Sequence, residues 1–329
     1  MLCVTNQMLL DDIDTKIVRI LARDGRTSGR RLAELVHISE GTARLRLRRL
    51  LESTVKVKML VAPDKVGFPI SAILGLRTDL VRLDEVVEQL VMHPRVNYLV
   101  QVTGMFDILA LCMFRSTQDL VTVLQDIIER FPAVKDIQTN ICLETPLGHF
   151  ATINPGSLST KVTPGHGLAE IDLWLIERLV ENGRLGPRQL AAAGSISEAS
   201  VRRHLKRLLD DRIVTVRALV SPDKIGFPAL VICGLKVDLP KLRSVTAKLA
   251  SNEHINFVTS CAGLFDVFFT GMFRSNREIA VLLQQFVAPI DGVRETQTFI
   301  CLQGEQGYFS RFVPRCIGEP SIACDDGVP

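Results

Sequence analysis

Three observations predict an α+β chain made of one unit written twice, each copy a winged helix-turn-helix followed by a β-α-β-β-α-β domain of ferredoxin-like form. The first is repetition: DGRTSGRRLAELVHISEG from Asp24 returns as NGRLGPRQLAAAGSISEA from Asn182, an offset of 158. APDKVGFP from Ala62 returns as SPDKIGFP from Ser221 at 159, and the same 159 carries Gly104-Met105-Phe106-Asp107 onto Gly263-Leu264-Phe265-Asp266. The second is a helical period in the apolar residues that open each copy. The third is a change of period after the Pro-Asp-Lys turn, where short apolar runs alternate with amphipathic stretches.

The elements follow in order. Ile13, Ile17, Ile20 and Leu21 mark an amphipathic helix that Gly25 closes. Ser28 caps a second helix through Leu32, Leu35 and Val36, and its twin places Pro187 at the first helical position, where a missing N–H costs nothing. His37 and Ile38 turn into a third helix capped by Ser39, so a helix-turn-helix is complete. Val55 to Lys58 and Ile213 to Arg217 alternate as strands do and form a wing or the strand that leaves it. Strands are then expected at Ile70–Leu76, Val96–Thr103, Ile108–Phe114 and Val134–Leu143, with helices at Leu83–Leu90 and Leu120–Ile128. Ile73, Leu109, Leu111 and Ile141 put apolar material on both sheet faces, so the sheet of the second copy is expected to cover the first. The units divide as helix-turn-helix 1–61, sheet domain 62–150, a Pro/Gly/Ser/Thr-rich linker 151–168, helix-turn-helix 169–220, sheet domain 221–314 and a tail 315–329.

Charge is concentrated rather than abundant. The whole chain carries a formal +3, whereas Asp14–Lys58 holds twelve Lys/Arg against five Asp/Glu and Asp172–Arg217 nine against six. A general polyanion binder is excluded, and the local surplus points at the helices. On the third helix Ala43, Leu47 and Leu50 form an inner stripe, leaving Ser39, Gly41, Thr42, Arg44, Leu45, Arg48 and Arg49 for the start and outer face. In the twin Val201, Leu205 and Leu208 repeat the stripe, and Ser197, Ala199, Ser200, Arg202, Arg203, Lys206 and Arg207 face out. A small-residue start with a cationic outer face suits entry into a major groove between phosphate rails; a solvated charged surface is the plainer alternative. The eight cysteines include no C-x-x-C pair and several lie in apolar runs, which reads as buried reduced thiols. No histidine pairs with another His or Cys at ligand spacing, so neither metal nor cofactor is expected. The N-terminus has no basic region before an apolar core and no apolar run reaches the ~20 residues of a membrane helix, which predicts a cytosolic protein.

With D-G-R before the second helix, L-A within it, S-x-x-x-A/V-x-x-x-L-x-x-L in the third, P-D-K-x-G-F, G-x-F-D and a T-x-I-x-L strand in that order, each half resembles the Lrp/AsnC regulators. The resemblance implies a DNA-reading helix-turn-helix, a sheet domain for dimerisation and ligand sensing, further oligomerisation, and a small effector, usually an amino acid, near the G-x-F-D turn. It therefore points to Thr103, Gly104, Phe106 and Asp107, and to Gly263, Phe265 and Asp266, as effector contacts. A free amino acid offers a carboxylate and an ammonium, which turn N–H groups and a fixed Asp could satisfy. The alternative is a plain hairpin turn whose aspartate bonds its own backbone. Two departures stand out: the units are fused in one chain, and the arginine at Arg46 is replaced by His204 in the second copy. A branch of the same superfamily resembles paired units that act as a siroheme decarboxylase through His, Tyr and Arg on the sheets. Here Val96–Phe114 and Ile255–Phe273 hold no histidine and one tyrosine, Tyr98, so no catalytic residue is assigned. A ligand-binding assembly protein without DNA binding is the third reading, and the arginines on both third helices argue against it. The expected partners are double-stranded DNA, a small effector and further copies of the chain.

Overall fold

The computed structural model describes residues 10–148, 167–220 and 222–306; the linker centred on 151–166 and the tail 315–329 lie outside them. In the first helix-turn-helix, α1 is Asp12–Arg23, α2 Gly29–Val36 and α3 Glu40–Ser53. Their starts are fixed by side chains: Asp11, Ser28 and Ser39 each accept from a backbone N–H three residues on. Between α2 and α3, His37 takes a left-handed conformation at φ 56° to make the tight turn. The strand β1, Val55–Val61, leads to a 3-10 turn at Pro63–Val66.

The sheet domain then runs β2 (Ile70–Thr78), α4 (Leu83–Val91), β3 (Val96–Val102), β4 (Ile108–Phe114), α5 (Thr117–Arg130) and β5 (Val134–Cys142). In the second copy α6 (Glu170–Glu181), α7 (Pro187–Gly194), α8 (Glu198–Asp210) and β6 (Val214–Val220) repeat the first domain. They are followed by β7 (Ala229–Val237), α9 (Leu242–Ser251), β8 (Ile255–Ala262), β9 (Val267–Phe273), α10 (Asn276–Val281) and β10 (Val293–Gln306). One helix differs in kind: α10 continues as a π-turn over Leu282–Val287 where α5 is regular. Pro289 follows just after this segment and, with no N–H, cannot continue a helical ladder. The wider turn instead closes with the Ala288 N–H on the Leu283 carbonyl at 2.8 Å.

Each sheet has the ferredoxin-like order, β5-β2-β4-β3 and β10-β7-β9-β8, and the two join edge to edge into a closed eight-stranded barrel. Closure removes both pairs of sheet edges, which would otherwise expose unpaired backbone. The junctions are β5 with β8 and β10 with β3, equivalent under the duplication. The expected covering of one sheet by the other is realised as this barrel. Its interior holds Ile73, Val100, Leu109 and Phe106 from the first half against Phe257, Phe265, Phe268 and Phe299 from the second. The outer faces are covered by α4 and α5 over Leu74, Leu76 and Ala110, and by α9 and α10 over Val231, Leu235 and Phe269.

The two wing strands do not stay within their own copies. β1 and β6 pair antiparallel along their whole length, from Val55 against Val220 to Val61 against Val214. This ribbon is the shared floor of both helix-turn-helix domains, and one continuous apolar core contains α1–α3, α6–α8 and the ribbon. Gly25, expected to close α1, has another task. The cap residue is Asp24 in extended conformation, and a Cβ on Gly25 would meet Val57 Cγ1 at 2.6 Å and the Arg217 backbone at 3.1 Å. Its glycine permits the close approach that lets its N–H bond the Val216 carbonyl of the other copy at 2.9 Å. Gly183 does the same for the second copy, donating to the Val57 carbonyl at 2.9 Å.

Candidate nucleic-acid interface and effector turns

The inner stripes of α3 and α8 are buried as the spacing predicts, Ala43, Leu47 and Leu50 in one and Val201, Leu205 and Leu208 in the other. That packing turns Gly41, Thr42, Arg44, Leu45 and Arg48 to solvent, with Leu45 66% exposed. Nothing lies within 4 Å of a Cβ placed on Gly41, so the helix start is open. Ser39 is also exposed; besides capping the Thr42 N–H, its hydroxyl bonds the Thr42 hydroxyl at 2.8 Å. On α8, Ala199, Arg202, Arg203 and Lys206 face out, while Ser197 caps the N–H of half-buried Ser200.

The cations on these faces fall into two groups. Arg44 pairs with Glu40 at 2.5 Å and Arg202 with Glu198, both one helical turn away on an exposed surface, so each is easily surrendered to a phosphate. Among the described residues no carboxylate lies within ion-pair distance of Arg48, Arg203 or Lys206. Arg49 and Arg207 are different: both are exposed as expected, yet each is also held by a carboxylate of another helix. Arg49 turns back to Asp14 on α1, and Arg207 to Asp172 on α6. These two aspartates are 2% and 0% exposed, so an unpaired charge there would be costly. Arg46 joins the first cluster through Asp14 at 2.9 Å and Asp11 at 2.6 Å; His204 joins the second through Nδ1 to Asp172 at 2.8 Å. The Arg46/His204 difference therefore falls on a contact between helices and not on the outer face. The Asp14 backbone N–H and then the Arg46 guanidinium hold the Asp11 carboxyl below its ordinary range.

The arginines of the repeated D/N-G-R, Arg26 and Arg184, cross between the two helix-turn-helix domains. Arg26 donates Nε to the Gly183 carbonyl at 2.9 Å and Nη2 to Leu185 at 3.2 Å. Arg184 returns the contact, with Nη1 to Gly25 at 2.6 Å and Nη2 to Thr27 at 3.5 Å. Burial pushes both guanidinium pKa values down. The exchange ties the two helix-turn-helix domains to each other across the ribbon, and so sets the relation between α3 and α8.

The G-x-F-D turns connect β3 to β4 and β8 to β9. Gly104 adopts φ 114°, which only glycine takes without strain. Four of the residues expected at an effector are committed elsewhere. Phe106 and Phe265 are buried, each ring lying where a Cβ on Gly75 or Gly234 would be, at 2.6 Å. The Asp107 carboxylate accepts from the Thr78 N–H at 2.8 Å, and Asp266 from the Val237 N–H at 2.9 Å, so each aspartate bonds the neighbouring strand and not its own turn. Asp266 also meets Lys236 Nζ at 3.4 Å. Thr103, Gly104 and Gly263 remain exposed.

Each turn also touches the last strand of the opposite half. Beside Gly104 lie Phe299 Cδ1 at 3.5 Å and the Thr298 carbonyl at 3.7 Å from a notional Cβ; beside Gly263 lie Asn140 Oδ1 and the Thr139 carbonyl at 2.7 Å. Asn140 accepts from the Phe265 N–H at 3.1 Å, a link between halves that nothing in the local sequence signals. Of the cysteines, Cys112, Cys233 and Cys261 are buried and Cys142 and Cys301 half-buried, all as free thiols; burial pushes Cys233 up to about 12. Cys3, Cys316 and Cys324 lie outside the described residues. Among the described residues no helix is long and apolar enough to cross a membrane.

Two basic, N-capped helices on a shared ribbon, set above a barrel of two ferredoxin-like sheets, define a helix-turn-helix protein with twinned ferredoxin-like domains. Comparison with known families names the class. The Lrp/AsnC ligand binding domain matches residues 71–151 and 230–305, the AsnC-type helix-turn-helix domain residues 10–51, and a winged helix-turn-helix DNA-binding domain residues 168–215. The chain belongs to the Lrp/AsnC family of transcription regulators. An uncharacterized HTH-type transcriptional regulator of Pyrococcus horikoshii, PH0140, is 31% identical over 134 residues, 40% of this chain and 85% of that protein. The HTH-type transcriptional regulator FL11 of Pyrococcus furiosus is 30% identical over 138 residues, 41% of this chain and 91% of its own length. One such relative therefore spans a single half of the duplication. Among solved structures, the siroheme decarboxylase NirDL covers 92% of this chain and 96% of its own with a TM-score of 0.61, at 17% identity, which is a likeness of fold.

Proposed function

We propose that this regulator binds a specific DNA duplex as an intramolecular pseudo-dimer, placing α3 and α8 in successive major grooves. The observation that carries the reading is the pairing of two exposed cationic helix faces by one rigid floor, the β1–β6 ribbon with its crossed Arg26 and Arg184 contacts. A homodimer obtains its second reader by symmetry; here the chain supplies both. Arg44, Arg48, Arg202, Arg203 and Lys206 meet phosphates or base edges, with Ser39, Gly41, Thr42, Ser197, Ala199 and Ser200 forming the close approach at the helix starts. Affinity for such a duplex falls steeply with salt, by about 0.9 in log–log slope per phosphate neutralised. Fluorescence anisotropy across a salt series tests it, and binding that ignores salt rejects the reading. Arg48→Ala weakens specific and random DNA alike where it meets phosphate and relaxes one base position where it meets guanine.

The effector is a small molecule with an anionic group, an amino acid by the family's habit. With Asp107 and Asp266 engaged by backbone, the groups left to hold it are Thr103 and the exposed main chain at Gly104 and Gly263. The neighbouring Phe299 and Asn140 belong to the opposite half, so a ligand at either turn touches both halves. Calorimetry of the whole protein against the free amino acids tests this, with Thr103→Val as the variant that weakens the first site. Equal binding by that variant moves the effector elsewhere.

A further inference from the structure

The two barrel junctions are equivalent in the duplication but not in side chains. At the β5–β8 junction Cys142 stands opposite Cys261; at the β10–β3 junction the equivalent pair is Cys301 opposite Val102. Two cysteines thus face each other across the boundary between the halves at one junction and not at the other.

The backbone at Cys142 and Cys261 has the spacing a disulfide needs. On one side Leu143 donates to the Ser260 carbonyl at 2.8 Å, while the Cys261 N–H points away to Asp266 on its own hairpin at 2.8 Å. The cysteines therefore form the non-hydrogen-bonded kind of antiparallel pair, whose Cα atoms lie about 4.5 Å apart. Disulfides span Cα separations of about 4.4–6.8 Å. Both side chains point into the barrel, Cys261 buried and Cys142 half-buried against the same apolar cluster.

We propose that Cys142 and Cys261 are a reversible oxidation site, forming a disulfide on contact with a two-electron oxidant of the peroxide class and stapling the first half to the second. The two thiols differ in their readiness. Hydrogen bonds from the Cys261 thiol and the Thr259 hydroxyl favour the thiolate on Cys142, while the same contact and burial disfavour it on Cys261. Cys142 is the attacking sulfur: its thiolate attacks one oxygen of hydrogen peroxide, breaking the O–O bond and becoming a sulfenic acid, while the hydroxide that leaves takes up the proton the thiol gave up and departs as water. The Cys261 sulfur, losing its proton, then attacks that sulfenic sulfur and expels its oxygen as a second water. Two thiols and one peroxide thereby give one disulfide and two waters. A dithiol reductant reverses the bond.

The test uses the full chain, treated with hydrogen peroxide, alkylated under denaturing conditions and mapped by mass spectrometry. The expected result is a linked pair of peptides containing Cys142 and Cys261, about 2 Da lighter than their sum, lost on treatment with dithiothreitol. Cys142→Ser abolishes the linked pair and Cys301→Ser leaves it. The urea midpoint of the oxidised parent rises, and that of peroxide-treated Cys142→Ser does not. Peroxide that leaves Cys142 and Cys261 as separate thiols or separate oxidised acids, links formed only among other cysteines, or an equal rise in the Cys142→Ser midpoint overturns the proposal.

Discussion

Where each G-x-F-D turn meets the opposite half, the first turn is covered by Phe299 and the second by Asn140, two residues at the same place in the duplication. Phe299 is fully buried, stacked on Phe106 at 5.6 Å and set edge-on to Phe265 at 6.0 Å. Asn140, equally buried, bonds the Phe265 N–H and the Ile73 carbonyl. One contact is apolar area and the other directional hydrogen bonding, yet the strands around them superpose in order and register. By contrast Gly25/Gly183, Arg26/Arg184, Asp14/Asp172 and Asp107/Asp266 are kept in kind. The difference teaches which contacts both halves need to fit together: close backbone approaches and buried charge pairs. Interior filling can be exchanged so long as it stays satisfied.

This comparison can be broken by mutation. The largest effect is expected at its centre: Phe299→Ala removes a fully buried ring and costs about 3–5 kcal/mol, whereas Asn140→Ala loses two hydrogen bonds and costs about 1–3 kcal/mol. Urea unfolding of both variants checks it, and equal losses would mean that the two caps do the same work. Next, Gly25→Ala and Gly183→Ala both press a methyl against the opposite ribbon strand and cost about 1–3 kcal/mol. A Gly25→Ala protein as stable as the parent would show that the ribbon yields at that point. The outer faces sharpen the comparison from another side. Leu45 on α3 matches Arg203 on α8, and under the proposed DNA reading the first could offer only apolar contact, such as with a thymine methyl, whereas the second could grip guanine with two hydrogen bonds worth about 1–3 kcal/mol. Selection from a random DNA pool is therefore expected to return an imperfect palindrome that Leu45→Arg makes more symmetric. A perfect palindrome from the parent, unchanged in the variant, would remove these side chains from base reading.

The smallest effect concerns acid. Burial pushes the imidazoles of His93 in the first half and His254 in the second below their ordinary value. The folded state favours their neutral forms, so what they contribute is complete above the unfolded value of about 6.5 and is lost as pH falls through it toward the folded value. His254 stands where the first half has Arg95, which pairs with Asp119 at 2.9 Å. The urea midpoint is expected to drop between about pH 7.5 and about pH 5.5, and His254→Gln to reduce the drop. An unaltered pH profile in that variant would place the acid sensitivity at other groups.

Much of this was legible in the residues. Capping serines, the inner stripes of α3 and α8, the order of strands and helices, and the duplication were readable because each depends on spacing within a few residues or on direct repetition. The expectation that a second sheet covers the first also followed from sequence, since apolar residues on both faces of a strand require cover. What sequence could not supply were contacts made between distant segments. Arg49 and Arg207 read as outward cations, and they are exposed, but the ion pairs that α1 and α6 bring to them through Asp14 and Asp172 had no local signal. Gly25 read as a helix stop until the opposite strand came within reach of it. The pairing of β1 with β6, the edge joining of the sheets and the meeting of Cys142 with Cys261 were decided by tertiary structure alone. Local pattern states which face of an element is apolar, whereas the partner of that face is chosen by the closure of backbone hydrogen bonds across the whole molecule.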